Sequence, residues 1–169
     1  MRCAEAIASL SHARRRQVGC IIVGQDGIIA EGVNGTPSGF DNNPEVEHPE
    51  HRLENRCDDD GIPQRLECSR CGKHWPLNAY TGLDPCLTTK PELIHAESNA
   101  ITKIARSTNS GKGSTVYTTL QPCFNCAKLL IQMGVARVVY KEVYINTHGG
   151  DGGLELLQQA GIIVENYYD

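Results

Sequence analysis

His95-Ala96-Glu97 and, further along, Pro122-Cys123-Phe124-Asn125-Cys126 are the stretches on which the reading of this chain turns. One imidazole and two thiolates hold a zinc ion and leave its fourth position to water, whereas a structural site closes that position with a fourth side chain. Two thiolates and a neutral imidazole also cancel the formal charge of the ion. Zinc lowers the pKa of a bound water from about 15.7 to roughly 7, which makes an attacking oxygen available near neutral pH. Glu97, two residues beyond the imidazole, is placed to carry protons without being a ligand.

Alone, a Cys-x-x-Cys is as often a structural knuckle or a redox pair, and a lone His-x-Glu means nothing. The flanking sequence decides. Ile94, Ala100, Ile101 and Ile104 recur at helical spacing, with His95 and Glu97 in the first turn. Thr115–Leu120 reads as a strand leading into the second motif. Pro122 is placed to open a helix that Ala127, Leu129, Leu130 and Ile131 continue. Cys123 and Cys126, three apart, then share one face of its first turn. A helix N-terminus favours anionic sulfur and hence thiolate ligation.

Working outward, Val18–Val23 and Ile28–Val33 are short β-rich runs joined through Asp26-Gly27, a hairpin signal. Ala6, Ile7 and Leu10 suggest an amphipathic helix before them. Beyond residue 92 the chain predicts a helix near His95–Arg106, a strand near Thr115–Thr119 and a helix near Cys123–Met133. A strand near Arg137–Tyr140, a helix near Gly153–Gln159 and a strand near Ile162–Glu165 follow. Two antiparallel strands followed by strand–helix alternation predict an α/β fold with a mixed, about five-stranded sheet covered by helices. The Gly149–Gly153 stretch reads as a loop flanking the site.

The segment from about 43 to 92 interrupts this pattern and carries Cys57, Cys68, Cys71 and Cys86. Cys68-Ser69-Arg70-Cys71-Gly72-Lys73 has the form of a zinc-ribbon knuckle, and the four thiolates together would close a second, structural site. Such a site would stabilise a segment rich in Pro, Asp and Gly. Free thiols are the alternative, and His48, His51 and His74 are alternative ligands. The whole chain, 1–169, is read as one domain with this Cys-rich insertion.

A length of 169 residues fits one domain. A net charge of −4 argues against a generic polynucleotide surface. Arg14-Arg15-Arg16 is the local exception; it either faces a phosphate or is a solvated turn. No run approaches the roughly 18 apolar residues of a membrane span, and the start lacks an apolar signal-peptide region. The eight Cys then suit a reducing, cytoplasmic setting, as ligands and core residues rather than disulfides.

His-x-Glu with Pro-Cys-x-x-Cys is the signature of zinc-dependent nucleobase deaminases, and neighbouring words narrow it. Gly32-Val33-Asn34-Gly35, His95-Ala96-Glu97-Ser98-Asn99-Ala100-Ile101, Cys126–Gly134 and Gln17–Val23 resemble the corresponding segments of deoxycytidylate (dCMP) deaminases, phage-like in form and carrying a zinc-ribbon-type insertion. The resemblance implies a three-layer α/β/α sandwich and conversion of dCMP to dUMP for thymidylate synthesis. It also implies activation by dCTP, inhibition by dTTP and a hexamer, in the cytoplasm, or the host cytoplasm for a viral chain. By the same resemblance Asn34 contacts the substrate sugar, the Ala96 backbone lies against the pyrimidine, and Tyr144 touches substrate. Gly32, Asn34 and Gly35 border the effector site. Read from the residues alone, Asn34 and its glycines are equally a turn after a strand. Val33 stands where the family usually has Tyr, which puts regulation in question.

Three other functions fit parts of the chain. A bifunctional dCMP/dCTP deaminase and a polynucleotide deaminase share the zinc chemistry. A zinc-ribbon binding module on an inactive deaminase domain does not need it, but intact His95, Glu97, Cys123 and Cys126 argue against inactivity.

Overall fold

The computed structural model describes residues 1–47, 53–68, 74–76, 87–143 and 152–168. In chain order the elements are α1 (Arg2–Ala8), β1 (Gly19–Gly24), β2 (Gly27–Val33), β3 (Glu45–Glu47), β4 (Leu53–Cys57), β5 (Pro63–Cys68), β6 (His74–Pro76) and β7 (Leu87–Thr89). They continue with α2 (Ala96–Ala105), β8 (Thr115–Leu120), α3 (Phe124–Met133), β9 (Arg137–Glu142), α4 (Gly153–Gln159) and β10 (Ile163–Asn166). Cys71, Cys86 and Tyr144, all named above, lie outside the described residues. The chain divides into two compact units, residues 1–43 with 92–169, and residues 44–91.

The first unit is built on a five-stranded mixed sheet in the order β10-β9-β8-β1-β2. β1 runs antiparallel to both β2 and β8, while β8, β9 and β10 are parallel. The crossovers β8–α3–β9 and β9–α4–β10 join adjacent parallel strands, and right-handed connections place both helices on one face. Two glycines show how the layers close. Gly19 pairs with Val33 and Cys20 with Gly32, so Gly19 and Gly32 present opposite faces of the sheet. A Cβ on Gly19 would lie 2.1 Å from the Ala4 carbonyl of α1, and one on Gly32 would lie 2.0 Å from the Ala96 carbonyl of α2. Helix α1 therefore covers one face, and α2 with α3 and α4 the other, which is the expected three-layer sandwich.

The core fills the α2 side. Cys20 and Ile22 of β1, Ala30 of β2, Val116 of β8 and Val138 of β9 meet Ala96, Ala100, Ile104, Ala127, Leu130 and Leu157 of the helices. Burying each large aliphatic side chain there contributes about 1.5–3 kcal/mol.

The second unit holds strands where the sequence suggested none. β3 pairs with β7, and β4, β5 and β6 form an antiparallel meander. The hairpin between β4 and β5 turns on Asp58, whose Oδ1 accepts the amides of Asp60 and Ile62 at 3.2 and 2.8 Å. Glu54, Arg56, Gln64, Arg65 and Glu67 dominate these strands, and the only apolar alternation among them is the short one of Leu66 and Cys68; pairing does more than burial to make them strands.

Candidate metal centre

All three candidate ligands sit where helices begin. His95 is the N-cap of α2, with extended backbone at φ −71° and ψ 155°. Cys123 is the N-cap of α3, at φ −73° and ψ 167°. Pro122 thus stands one residue before the cap rather than opening the helix as expected, which leaves the cap position to a ligand. Neither side chain makes a helix-capping hydrogen bond; the two approach each other instead. Cys126 follows in the first turn of α3.

The His95 Nδ1 lies 3.4 Å from Cys123 Sγ and 3.5 Å from Cys126 Sγ. Zinc–nitrogen and zinc–sulfur bonds of about 2.05 and 2.3 Å at tetrahedral angles require N···S separations of about 3.6 Å. The donor set fits zinc in kind and in spacing. Among the described residues it is the one cluster of His, Cys, Asp and Glu side chains with that geometry. Cys126 donates to Cys123, and this bond with help from His95 pulls the Cys123 thiol down to about 4. Cys126 is pushed up in return by the same bond and by burial. The pair readily supplies one thiolate, and a cation between the sulfurs is what makes the second favourable.

Glu97 follows in α2 and is 3% exposed. Burial pushes its carboxyl up to about 7, against the opposing pull of its own backbone hydrogen bond and His95. A carboxyl balanced near neutrality both takes and gives a proton at working pH. Cys20, buried beneath it, has its thiol pushed up by desolvation and by Glu97, and so stays protonated.

The surroundings hold this pair of helix starts in place. Gly35 and Ile94 exchange backbone bonds of 3.1 and 2.9 Å just before His95. Asn99 donates to the Val33 carbonyl at 2.9 Å, tying α2 to the end of β2. A Cβ on Gly153 would meet the Pro122 carbonyl at 2.4 Å, so α4 seats closely against the Cys123 segment. The sequence motif includes Asn99 but not its partner, and nothing in a run of glycines singles out Gly153.

The remaining candidates divide. Ala96 is fully buried at the start of α2. Asn34 is 7% exposed; its Nδ2 donates to the Arg16 carbonyl at 2.9 Å and its Oδ1 accepts the Val18 amide at 2.8 Å. Its amide thereby fixes the loop that carries the arginines. Gly32 has a packing role under α2, and Gly35 a bridging one. Arg14, Arg15 and Arg16 line an open cleft with His12, Ala13, Gln17 and Glu142. The Glu142 carbonyl accepts the Gln121 amide at 2.8 Å, two residues before Cys123. Cleft and metal ligands therefore share the end of the sheet where β2, β8 and β9 finish, where ligands of such sheets bind.

Of the second thiolate set only Cys57 and Cys68 are among the described residues, and these two lie apart. Leu53 stands opposite Cys68 and Cys57 opposite Pro63, so Cys57 and Cys68 lie at opposite ends of the β4–β5 hairpin. At about 3.3 Å per residue that is a separation of about 13 Å, too far to share one ion. Cys57 is exposed and Cys68 is buried.

The family model for the cytidine and deoxycytidylate deaminase zinc-binding region matches residues 1–142. The chain is 32% identical to a deoxycytidylate deaminase of Schizosaccharomyces pombe over 99% of its own length and 42% of that protein. It is 35% identical to the deoxycytidylate deaminase of Enterobacteria phage T4 over 89% of its length and 78% of that protein. It thus spans under half of the yeast relative and most of the phage one. The dCMP deaminase of cyanophage S-TIM5, solved in complex with dCMP and dUMP, superposes with a TM-score of 0.69 at 32% identity, covering 98% of this chain and 91% of that one. With the ligand triad, the buried Glu97 and the five-stranded sheet in agreement, the chain belongs to the cytidine and deoxycytidylate deaminase family.

Proposed function

We propose that this protein deaminates dCMP hydrolytically to dUMP and ammonia, with a catalytic zinc held by His95, Cys123 and Cys126. The carrying observation is the buried carboxyl of Glu97 next to a three-donor set, one ligand short of the four that zinc takes. When bound, zinc supplies an activated water. As water adds to C4, Glu97 would accept one of its protons and pass it to ring N3, then take the proton of the new C4 hydroxyl and pass it to the amine, so that the C4–N bond breaks and ammonia leaves. The two helix N-termini orient partial positive charge towards the anionic sulfurs.

Substrate contacts follow the family pattern. The Ala96 backbone lies along the pyrimidine, Asn34 meets the sugar with the amide valences its backbone partners leave, and Tyr144 contacts substrate. The arginine cleft takes the 5′-phosphate; neutralising Arg14, Arg15 and Arg16 should raise KM for dCMP with little change in kcat. The segment containing Gly32, Asn34 and Gly35 borders the site for dCTP as activator and dTTP as inhibitor, in a cytoplasmic homo-hexamer. Flat activity across both nucleotides would remove the regulatory part. A second, structural zinc sits on the Cys68–Cys71 knuckle with Cys86, its fourth ligand a side chain other than Cys57, and the chain works as one deaminase domain with 43–92 inserted.

Ammonia release from dCMP, with cytidine, deoxycytidine and dCTP alongside, tests the reading. Selective turnover of dCMP is expected. Equal turnover of dCTP would make the enzyme bifunctional, and no turnover by zinc-loaded protein would overturn the substrate.

A further inference from the structure

We propose that Ser98 is a positioning residue of the metal centre, its hydroxyl donating to the Cys126 sulfur and setting how strongly that sulfur donates to the ion. This rests on the zinc reading above. Ser98 lies in the first turn of α2, and α3 brings Cys126 opposite it, with Oγ and Sγ 3.6 Å apart. A metal-bound thiolate carries no hydrogen, so the hydroxyl is then the donor. A helical serine otherwise bonds the carbonyl one turn back. For Ser98 that carbonyl belongs to Ile94 and already accepts the Gly35 amide at 3.1 Å.

The bond has a chemical consequence. Cys126 is 2% exposed, so water competes little and the hydrogen bond is strong. It draws electron density from the sulfur, leaving the ion more electron-poor and better able to activate water. It also eases the repulsion between two adjacent thiolates and the Glu97 carboxylate. Outer contacts of this kind change metal affinity or activity by about 10–100-fold.

Ser98→Ala and Ser98→Thr in the full chain test the proposal, with Co2+ replacing zinc as a spectroscopic probe and a chelator competing for zinc. Ser98→Ala should move the sulfur-to-cobalt charge-transfer bands to longer wavelength and weaken zinc about tenfold or more. Ser98→Thr should restore both. Unchanged bands and affinity in Ser98→Ala would overturn the proposal, as would a threonine variant that behaves like alanine, because packing would then be the cause. A wild-type protein with no sulfur-to-cobalt bands would overturn the zinc reading itself.

Discussion

Residues 1–43 and 92–169 pack a continuous apolar core between sheet and helices, from Val18 and Cys20 through Leu130 to Leu157. Among the described residues of 44–91, the buried side chains are Pro44, Glu45 and Cys68. Both units contain hydrogen-bonded sheets. The difference is what stands behind them: helices seal the first sheet, whereas the β4–β5–β6 meander carries charged side chains along β4 and β5. A small sheet with so few buried side chains is marginal by itself, and a bound metal would supply what a core does not. The first unit gains its order from packing; the second would, on the function proposed above, take its order from a metal.

Metal removal has the largest expected effect on that contrast. Chelation should abolish turnover and cost the second unit on the order of 10 kcal/mol of binding energy. Hydrogen exchange should then show loss of protection in 53–68 while β1, β8 and β9 stay protected. Continued protection of 53–68 would mean that the core-poor unit holds itself.

Glycine substitutions sharpen the same contrast. Gly32→Ala drives a Cβ to 2.0 Å from a backbone carbonyl that α2 cannot move, and should cost about 3 kcal/mol or more in denaturant unfolding. Gly61→Ala, at φ 77° with open space around it, should cost only the roughly 1–2 kcal/mol of a left-handed residue. Equal losses would place as much cooperativity in the second unit as in the first.

The contrast also explains what the sequence revealed. In the first unit, alternation and helical spacing mark elements because burial makes them, so β1, β2, β8, α2, α3 and α4 fall within a residue or two of their expected ends. The ligands and Glu97 were legible because their chemistry fixes their spacing. Gly32 was not, since its close partner at Ala96 comes from tertiary packing. Asn34 read as a turn or a sugar contact, and its bonds to Arg16 and Val18 cross from β2 to the loop before β1. The strands of 44–91 went unread because pairing does most to make them, and their one apolar alternation, Leu66 and Cys68, is too short to mark them. The separation of Cys57 from Cys68 follows from that hairpin register.

Glu97 provides a smaller, pH-dependent test. Its folded pKa of about 7 lies above the ordinary 4.5, so the folded state binds the proton more tightly. In metal-free protein the contribution of Glu97 should be complete below about pH 4.5 and fall by about 3 kcal/mol as pH rises through 7, against the opposite slope of the lowered Cys123 thiol. The difference in thermal stability between metal-free wild type and Glu97→Gln should change by that amount between about pH 4.5 and 7; a difference that stays constant with pH would assign the titration to another group.

The smallest effect belongs to the surface of the second unit. Glu67 is 3.2 Å from both Arg56 and Arg65, and both arginines hold its carboxyl below the ordinary range. Exposed pairs of this kind are screened by salt. Glu67→Ala should leave the unfolding midpoint unchanged at physiological salt and lower it slightly at low salt. A large loss at either would show that ion pairs, and not a metal, hold the meander.

The central claim is that Glu97 moves the protons at a zinc site it does not ligate. The most direct measurement is zinc content and dCMP turnover on one preparation of Glu97→Gln. Wild-type zinc content with turnover reduced by about 10²–10⁴-fold is the expected result; wild-type turnover with zinc in place, or loss of the catalytic zinc itself, would contradict it.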